Sequence, residues 1–409
     1  MTNTAGANAP LRGKNVAVVH AAWHSCGSYQ VNVSQIMAYR GLGARVVSVA
    51  LMDALSSPAP LGARWPAYLA ATQDLSADAR YFVSAPTRLL WASGLLLDGW
   101  WPLIHGDQAS WLIALAKRAE APKELLDQRF DLIHANHYFT LPLAERLGRG
   151  APILVETQDI QARQYELRNQ GGFFIPPYAS YDDMLKVELE WTRRADLCIH
   201  LNAEEYMEFK RLLPQARHAL IYPAAPPAPL TEKAEEIVIV ASDNYANYMS
   251  LRWFLNDVLP RAGDVKLSIY GNIDGGVKAR DEALYERHRA LFAGRVVDIG
   301  AVYKRAACIL LPTIEGHGLS IKAVEALSCG APLIATPLAF RGMGVDARGL
   351  SNVVLCEDAE AFAIALREAA GRARRAVESA ASDTRRLYEK AFSPQAYAQA
   401  LAEALRDLT

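Results

Sequence analysis

The segment IEGHGLSIKAVEALSCGAPLIAT, residues 314–336, groups residue types that could do chemistry. Gly316 and Gly318 flank His317, and Lys322 and Glu325 follow three residues apart. Glycines let a ligand approach the backbone closely. Ser320 is a suitable N-cap, so Lys322 falls in the first turn of a predicted helix, residues 321–329, closed by Gly330. The unpaired N–H groups and partial positive charge of a helix start attract an anion. Lysine is mildly unfavourable there for the dipole, and its presence makes sense with a phosphate to neutralise. Glu325 shares a helix face with Lys322. A carboxylate beside a phosphate suits the hydroxyls of a ribose or another sugar. The residues alone leave two readings open: this site, or a glycine turn with a solvated surface pair worth a few tenths of a kcal/mol. No G-x-x-x-x-G-K-[ST] occurs, and no G-x-G-x-x-G follows the first strand, which disfavours P-loop and dinucleotide readings.

Such a site needs elements to hold it, and the chain supplies short apolar runs alternating with helical patterns. In the first half NVAVVH (15–20), ARVVSVAL (44–51), FDLIHAN (130–136), APILVET (151–157), ADLCIHL (195–201) and HALIYP (218–223) read as strands. SQIMAYRGLG reads as a helix that stops at Gly41 or Gly43. YPAAPPAPLTEKAEE then carries four prolines without apolar periodicity and reads as a semi-rigid linker. Strands resume at EIVIVAS, VKLSIYG, RVVDIG, ACILLP, APLIAT and SNVVLCE. The expectation is α/β: two Rossmann-like doubly wound domains facing across a cleft, with ligands outside the carboxyl ends of parallel strands. The expected domains are 1–222 and 237–392, joined by a linker over 223–236. A last amphipathic helix, 393–409, capped by Ser393 and opened by Pro394, would pack back on the first domain.

Composition excludes several classes. Of 409 residues 51% are hydrophobic and 21% charged, an ordinary globular balance. A formal net charge of -1 offers no basic field for nucleic acid. The five cysteines form no C-x-x-C and read as reduced core thiols, and the start of the chain has no secretory pattern, so a cytoplasmic protein is expected. The run RLLWASGLLLDGWWPLIHGD is broken by Arg88, Asp98 and Asp107 long before it could span a bilayer. Trp91, Trp100 and Trp101 suit a headgroup interface, which leaves peripheral contact with the inner face of a membrane open.

The opening segment resembles the donor-binding signature of family 4 retaining glycosyltransferases with the two-domain GT-B fold. One bacterial branch reads P-x-x-x-G-x-G-x-x-x-K-x-x-E-A-x-x-x-G-x-P, and Pro312, Gly316, Gly318, Lys322, Glu325, Ala326, Gly330 and Pro332 fall in place. ASDNYANYMSLRWFLNDVLP, with Asn247, resembles the start of the family's second domain, and LSIYGN, with Gly271, its next strand. DLIHANHYFTLPLA and ILVETQDIQAR resemble two strand ends of the first domain, and WHSCGSYQVNVSQIM takes the place of its first glycine loop. The likeness is weakest between Ser56 and Lys123.

The resemblance implies that Lys322 binds a diphosphate, Glu325 binds the nucleotide ribose, the backbone of Gly316 to Gly318 faces the donor sugar, and Gly271 lies on the donor side. Gly27 and Ser28 would offer N–H groups to the donor phosphate. No metal and no cofactor is implied. Three departures matter. His317 stands at the first glutamate of the family's E-x7-E. Gln158 precedes Asp159 where many members have His-Asp, which suits orienting a sugar rather than moving protons. The early R…K pair of the second domain is absent, leaving Arg341 or Arg163 as substitutes. His317, Lys322, Glu325 and Asp159 are the expected catalytic residues. His24, His137, Trp100 and Trp101 are expected on the acceptor side, with His20 and His134 as weaker candidates. The implied activity is transfer from a UDP- or GDP-linked sugar to a hydroxyl of a glycan, glycolipid or protein, in bacterial polysaccharide or glycoconjugate synthesis. A nucleotide-sugar 2-epimerase and a non-catalytic sugar-nucleotide binder are the alternatives.

Overall fold

The computed structural model describes residues 10–24, 27–52, 61–85, 93–169, 174–229, 236–372 and 382–408. The chain divides into two compact units: Met1–Pro223 with Tyr397–Thr409, and Ala224–Ala396. Each is built on one parallel sheet.

The first unit carries seven strands: β1 (Asn15–Ala21), β2 (Arg45–Leu51), β3 (Ala79–Val83), β4 (Leu132–Asn136), β5 (Ile153–Glu156), β6 (Leu197–His200) and β7 (His218–Leu220). Their order is β3-β2-β1-β4-β5-β6-β7. β1 is central and reads as a continuous apolar run, since helices cover both faces of a parallel sheet. Its pairing runs from Asn15 against Arg45 to Ala21 against Leu51. β3 went unread in the sequence, where Arg80 interrupts its pattern. In the fold that guanidinium donates to the Thr72 carbonyl at 3.1 Å and lies over the Trp65 and Tyr68 rings, so its stem packs as an apolar group.

The second unit carries β8 (Glu236–Val240), β9 (Ser268–Tyr270), β10 (Phe292–Gly294), β11 (Ala306–Leu311), β12 (Leu333–Ala335) and β13 (Val353–Leu355), in the order β10-β9-β8-β11-β12-β13. One expected strand is displaced. RVVDIG is not extended: β10 ends at Gly294, Val297 is fully exposed, and Asp298 accepts a hydrogen bond from the Ala301 N–H at 3.2 Å, opening the helix Ile299–Lys304. The capping aspartate outweighed the two valines.

Three further segments bear on the site. The helix after β1 begins at Gly27 rather than Ser34 and runs to Gly41. The proline-rich stretch is packed over its first residues. Ala224, Ala225 and Ala228 are buried, and Tyr388 Oη donates to the Ala225 carbonyl at 2.7 Å. Residues 230–235 lie outside the described part. The last helix, Pro394–Leu405, is capped by Ser393 Oγ and buries Tyr397, Leu401 and Leu405 at one-turn spacing. Among the described residues no helix is long and apolar enough to cross a membrane, and no three His, Cys, Asp or Glu side chains group to hold a metal ion. Cys198, Cys308, Cys329 and Cys356 are buried free thiols, and Cys26 falls outside the described residues.

Candidate sugar-nucleotide site

In the second unit β11 ends at Leu311, a loop follows, and the helix Ile321–Cys329 begins behind Ser320. The Ser320 side chain accepts from the Ala323 N–H, and Gly330 closes the helix in the left-handed conformation. The loop holds its shape through partners outside itself. Ile314 N–H donates to Ser250 Oγ at 3.2 Å, and Arg341 donates to the carbonyls of His317 at 3.2 Å and Leu338 at 3.1 Å. Gly316 is required on two counts. Its φ is 134°, and a Cβ there would sit 2.7 Å from the Arg341 guanidinium. Arg341 therefore lies against the loop as a prop and a positive charge.

Lys322 is half-buried in the first turn. Glu325, one turn on, accepts a hydrogen bond from Tyr303 Oη at 3.0 Å. Burial pushes its carboxyl above the usual range, while the Lys322 charge and the Tyr303 hydrogen bond pull the other way. His317 is exposed. Gly271 follows β9, where a Cβ would collide with the Ala241 carbonyl oxygen at 1.9 Å, so only glycine lets β8 and β9 close at this end. Asn247 holds the turn after β8, donating to the Ser242 carbonyl at 2.8 Å. These residues gather at the carboxyl ends of β8, β9 and β11, where a doubly wound sheet places its ligands. Arg252 is exposed on the helix Tyr245–Trp253.

The first unit has its own concavity at the carboxyl ends of β1, β4 and β5. Ser28, His20, His137 and Gln158 line it, with Ala21, Trp23, Asn32 and Asn136. Sequence reasoning named the first four and missed the others. One signal was available: Ser28, Asn32 and Gln35 recur at helical spacing, a polar stripe along the helix Gly27–Gly41. His137 and Gln158 both hold positive φ, 63° and 62°, rare for such residues and a mark of functional loops. Trp23 meets the His137 ring at 5.5 Å and the Phe139 ring at 5.7 Å.

His20 also lines the concavity and is buried; its Nδ1–H donates to the Ala21 carbonyl, Nε2 accepts from Ser48, and burial lowers its pKa to about 4. The remaining candidates lie elsewhere. His134 is a buried partner of Tyr39, 3.6 Å from Glu156. His24 is exposed and does not line the concavity. Trp100 packs on buried Trp111 at 4.5 Å, while Trp101 is 59% exposed, so neither lines the concavity. Gly27 opens its helix. Asp159 is half-buried just before the helix Gln161–Asn169, whose first N–H groups are spent on protein carboxylates. Glu188 accepts from Gln161 and Ala162 at 3.1 and 3.0 Å, and Glu205 accepts from Ile160 at 3.2 Å. That helix start is filled, so Arg163 has no phosphate cradle beside it.

Residues 234–372 match the family model described as glycosyl transferases group 1. No curated protein matches the chain. Among solved structures, HepE of Anabaena, determined with UDP and glucose, is similar at 14% identity and TM-score 0.62, over 97% of this chain and 100% of that one. Sucrose-phosphate synthase of Thermosynechococcus elongatus is similar at 16% identity and TM-score 0.64, over 97% and 99%. The pneumococcal O-GlcNAc transferase GtfA, determined with UDP and GlcNAc, is similar at 10% identity and TM-score 0.63, over 97% and 99%. The fold is GT-B. Both parallel sheets, of seven and six strands, are those of the GT-B architecture. The loop–helix segment of residues 312–332 falls inside the part matched by the glycosyl transferase model.

Proposed function

We propose that the protein is a retaining glycosyltransferase that moves a sugar from a UDP- or GDP-linked donor to a hydroxyl. The observation that carries this reading is the glycine loop and Ser320-capped helix bearing Lys322 and Glu325 within residues 234–372. The helix N–H groups and Lys322 neutralise charge as it develops on the leaving diphosphate. Glu325, steadied by Tyr303, accepts hydrogen bonds from the nucleotide ribose. Arg341 adds charge beside Gly316 and stands in for the missing basic pair. Gly316 to Gly318 and His317 face the donor sugar, Gly27 and Ser28 supply N–H groups to its phosphate, and Gln158 and Asp159 orient it. The UDP-containing structures of HepE and GtfA support a nucleotide-linked donor. The acceptor is a glycan, glycolipid or protein hydroxyl in bacterial surface-polysaccharide or glycoconjugate synthesis, reached from the cytoplasmic side.

The test is a panel of UDP- and GDP-sugars scored by thermal shift and then by transfer. A donor at one hundred times its dissociation constant stabilises by about 2.7 kcal/mol. Transfer is expected to persist in excess EDTA, since the basic groups and amides carry the phosphate charge. Activity abolished by EDTA and restored by manganese or magnesium contradicts this mechanism, and absence of any nucleotide binding contradicts the reading as a whole.

A further inference from the structure

The concavity of the first unit holds a chain of carboxamides whose orientations are set from behind. Asn136 and Gln35 are 1% and 0% exposed. They form a reciprocal pair: Asn136 Nδ2 donates to Gln35 Oε1 at 2.8 Å, and Gln35 Nε2 donates to Asn136 Oδ1 at 2.9 Å. Gln35 Nε2 also faces His134 Nε2 at 3.3 Å. Asn136 Oδ1 then accepts a second hydrogen bond, from Gln158 Nε2 at 3.0 Å. With its nitrogen committed inward, Gln158 turns its carboxamide oxygen to the concavity. Across the same concavity stands Asn32, 3% exposed, whose Oδ1 meets no donor among the described residues. Two amide oxygens and the half-buried ring of Trp23 thus line one small space. A hydroxyl of a sugar bound at its mouth would meet two acceptors there, with the Trp23 ring beside them for the sugar's C–H groups.

We propose that Asn32 and Gln158 form a sugar-hydroxyl subsite of the first unit, with Asn136 and Gln35 as the positioning residues that set the Gln158 carboxamide. The proposal rests on the glycosyltransferase reading for its context and adds a specificity-determining residue, Asn32. The hydroxyl belongs either to the donor sugar or to the acceptor, and the chemistry of recognition is the same.

The test uses the full chain with asparagine and glutamine side chains labelled with nitrogen-15, beside Asn32→Leu, Asn32→Asp, Gln158→Leu and Asn136→Leu. Probes are UDP, UDP-glucose, UDP-N-acetylglucosamine and GDP-mannose, and free glucose, N-acetylglucosamine and mannose added in the presence of UDP. The amide signals of Asn32 and Gln158 are expected to shift with at least one sugar and not with UDP alone. Asn32→Leu is expected to weaken that sugar's binding about tenfold, the worth of one hydrogen bond, with UDP affinity and melting temperature kept. Asn32→Asp, which keeps an acceptor oxygen, recovers most of it. Asn136→Leu matches Gln158→Leu in sugar binding, because it acts through that carboxamide. A loss confined to nucleotide sugars assigns the hydroxyl to the donor, and a loss confined to free sugars assigns it to the acceptor. Unshifted amide signals with every sugar overturn the subsite, as does wild-type sugar affinity in folded Asn32→Leu. Failure of UDP itself to bind the wild type counts against the glycosyltransferase reading instead, and the free-sugar amide shifts, repeated without UDP, still decide the subsite.

Discussion

Lys322 and Glu325 make opposite demands on the same turn of helix. The ammonium favours an ionised carboxylate, whereas burial favours a neutral one, and the Tyr303 hydroxyl sides with the ammonium. An incoming diphosphate would draw on Lys322 and leave Glu325 to the ribose. Lys322→Ala is therefore expected to weaken UDP binding by about 1.5–3 kcal/mol, the worth of one charge-assisted hydrogen bond. Its effect on melting temperature is expected to be small, because the side chain is only half-buried, in the first turn of its helix. Calorimetry with UDP checks both, and unchanged affinity would remove Lys322 from the phosphate contacts.

Elements differ in how far the sequence announces them. The loop before Ile321 was legible because its chemistry is local: a cap, two glycines and a terminating glycine lie within fifteen or so residues and act on neighbouring backbone. The concavity of the first unit was not. Asn32, Asn136 and Gln158 come from a helix and two strand ends far apart in sequence, and an amide announces no chemistry until its partners are known. The tryptophan stretch was read as one unit, yet its two adjacent rings part company. Trp100→Ala should cost about 2–4 kcal/mol, since its ring packs on buried Trp111. Trp101→Ala should stay within about 0.5 kcal/mol, as an exposed position does. Thermal melts of the two variants distinguish them. Titratable groups at element ends also give the fold a pH profile. Burial lowers His20 to about 4 and His200 to about 3, so the native state lacks protons the unfolded chain holds below 6.5, and stability falls as pH drops toward those values. Burial raises both Glu188 and Glu205 to about 8 from 4.5, so above 4.5 the native state keeps two protons the unfolded chain has lost, and stability falls as pH rises toward 8. The two slopes offset between 4.5 and 6.5. Melting temperature should plateau there and decline on either side, and Glu188→Gln should make the alkaline limb shallower, with Glu205 carrying what remains.

At the scale of the whole molecule the first unit is discontinuous, completed by residues from Tyr397 onward. Tyr397 Oη donates to Glu156 Oε2 at 3.2 Å, and both residues are buried. Tyr397→Phe should therefore cost about 1–3 kcal/mol by leaving a buried carboxylate short of a donor, read as a lower midpoint in urea. The same contact has a consequence during synthesis. The two partners lie 241 residues apart in the chain, so at ribosomal rates Glu156 emerges about 12–50 s before the tyrosine that completes its surroundings. Throughout that interval the nascent first unit carries an unfinished polar interior while the second is still being made. A ribosome stalled before Tyr397 should present a first unit more open to proteases than the released protein, whatever the state of the second.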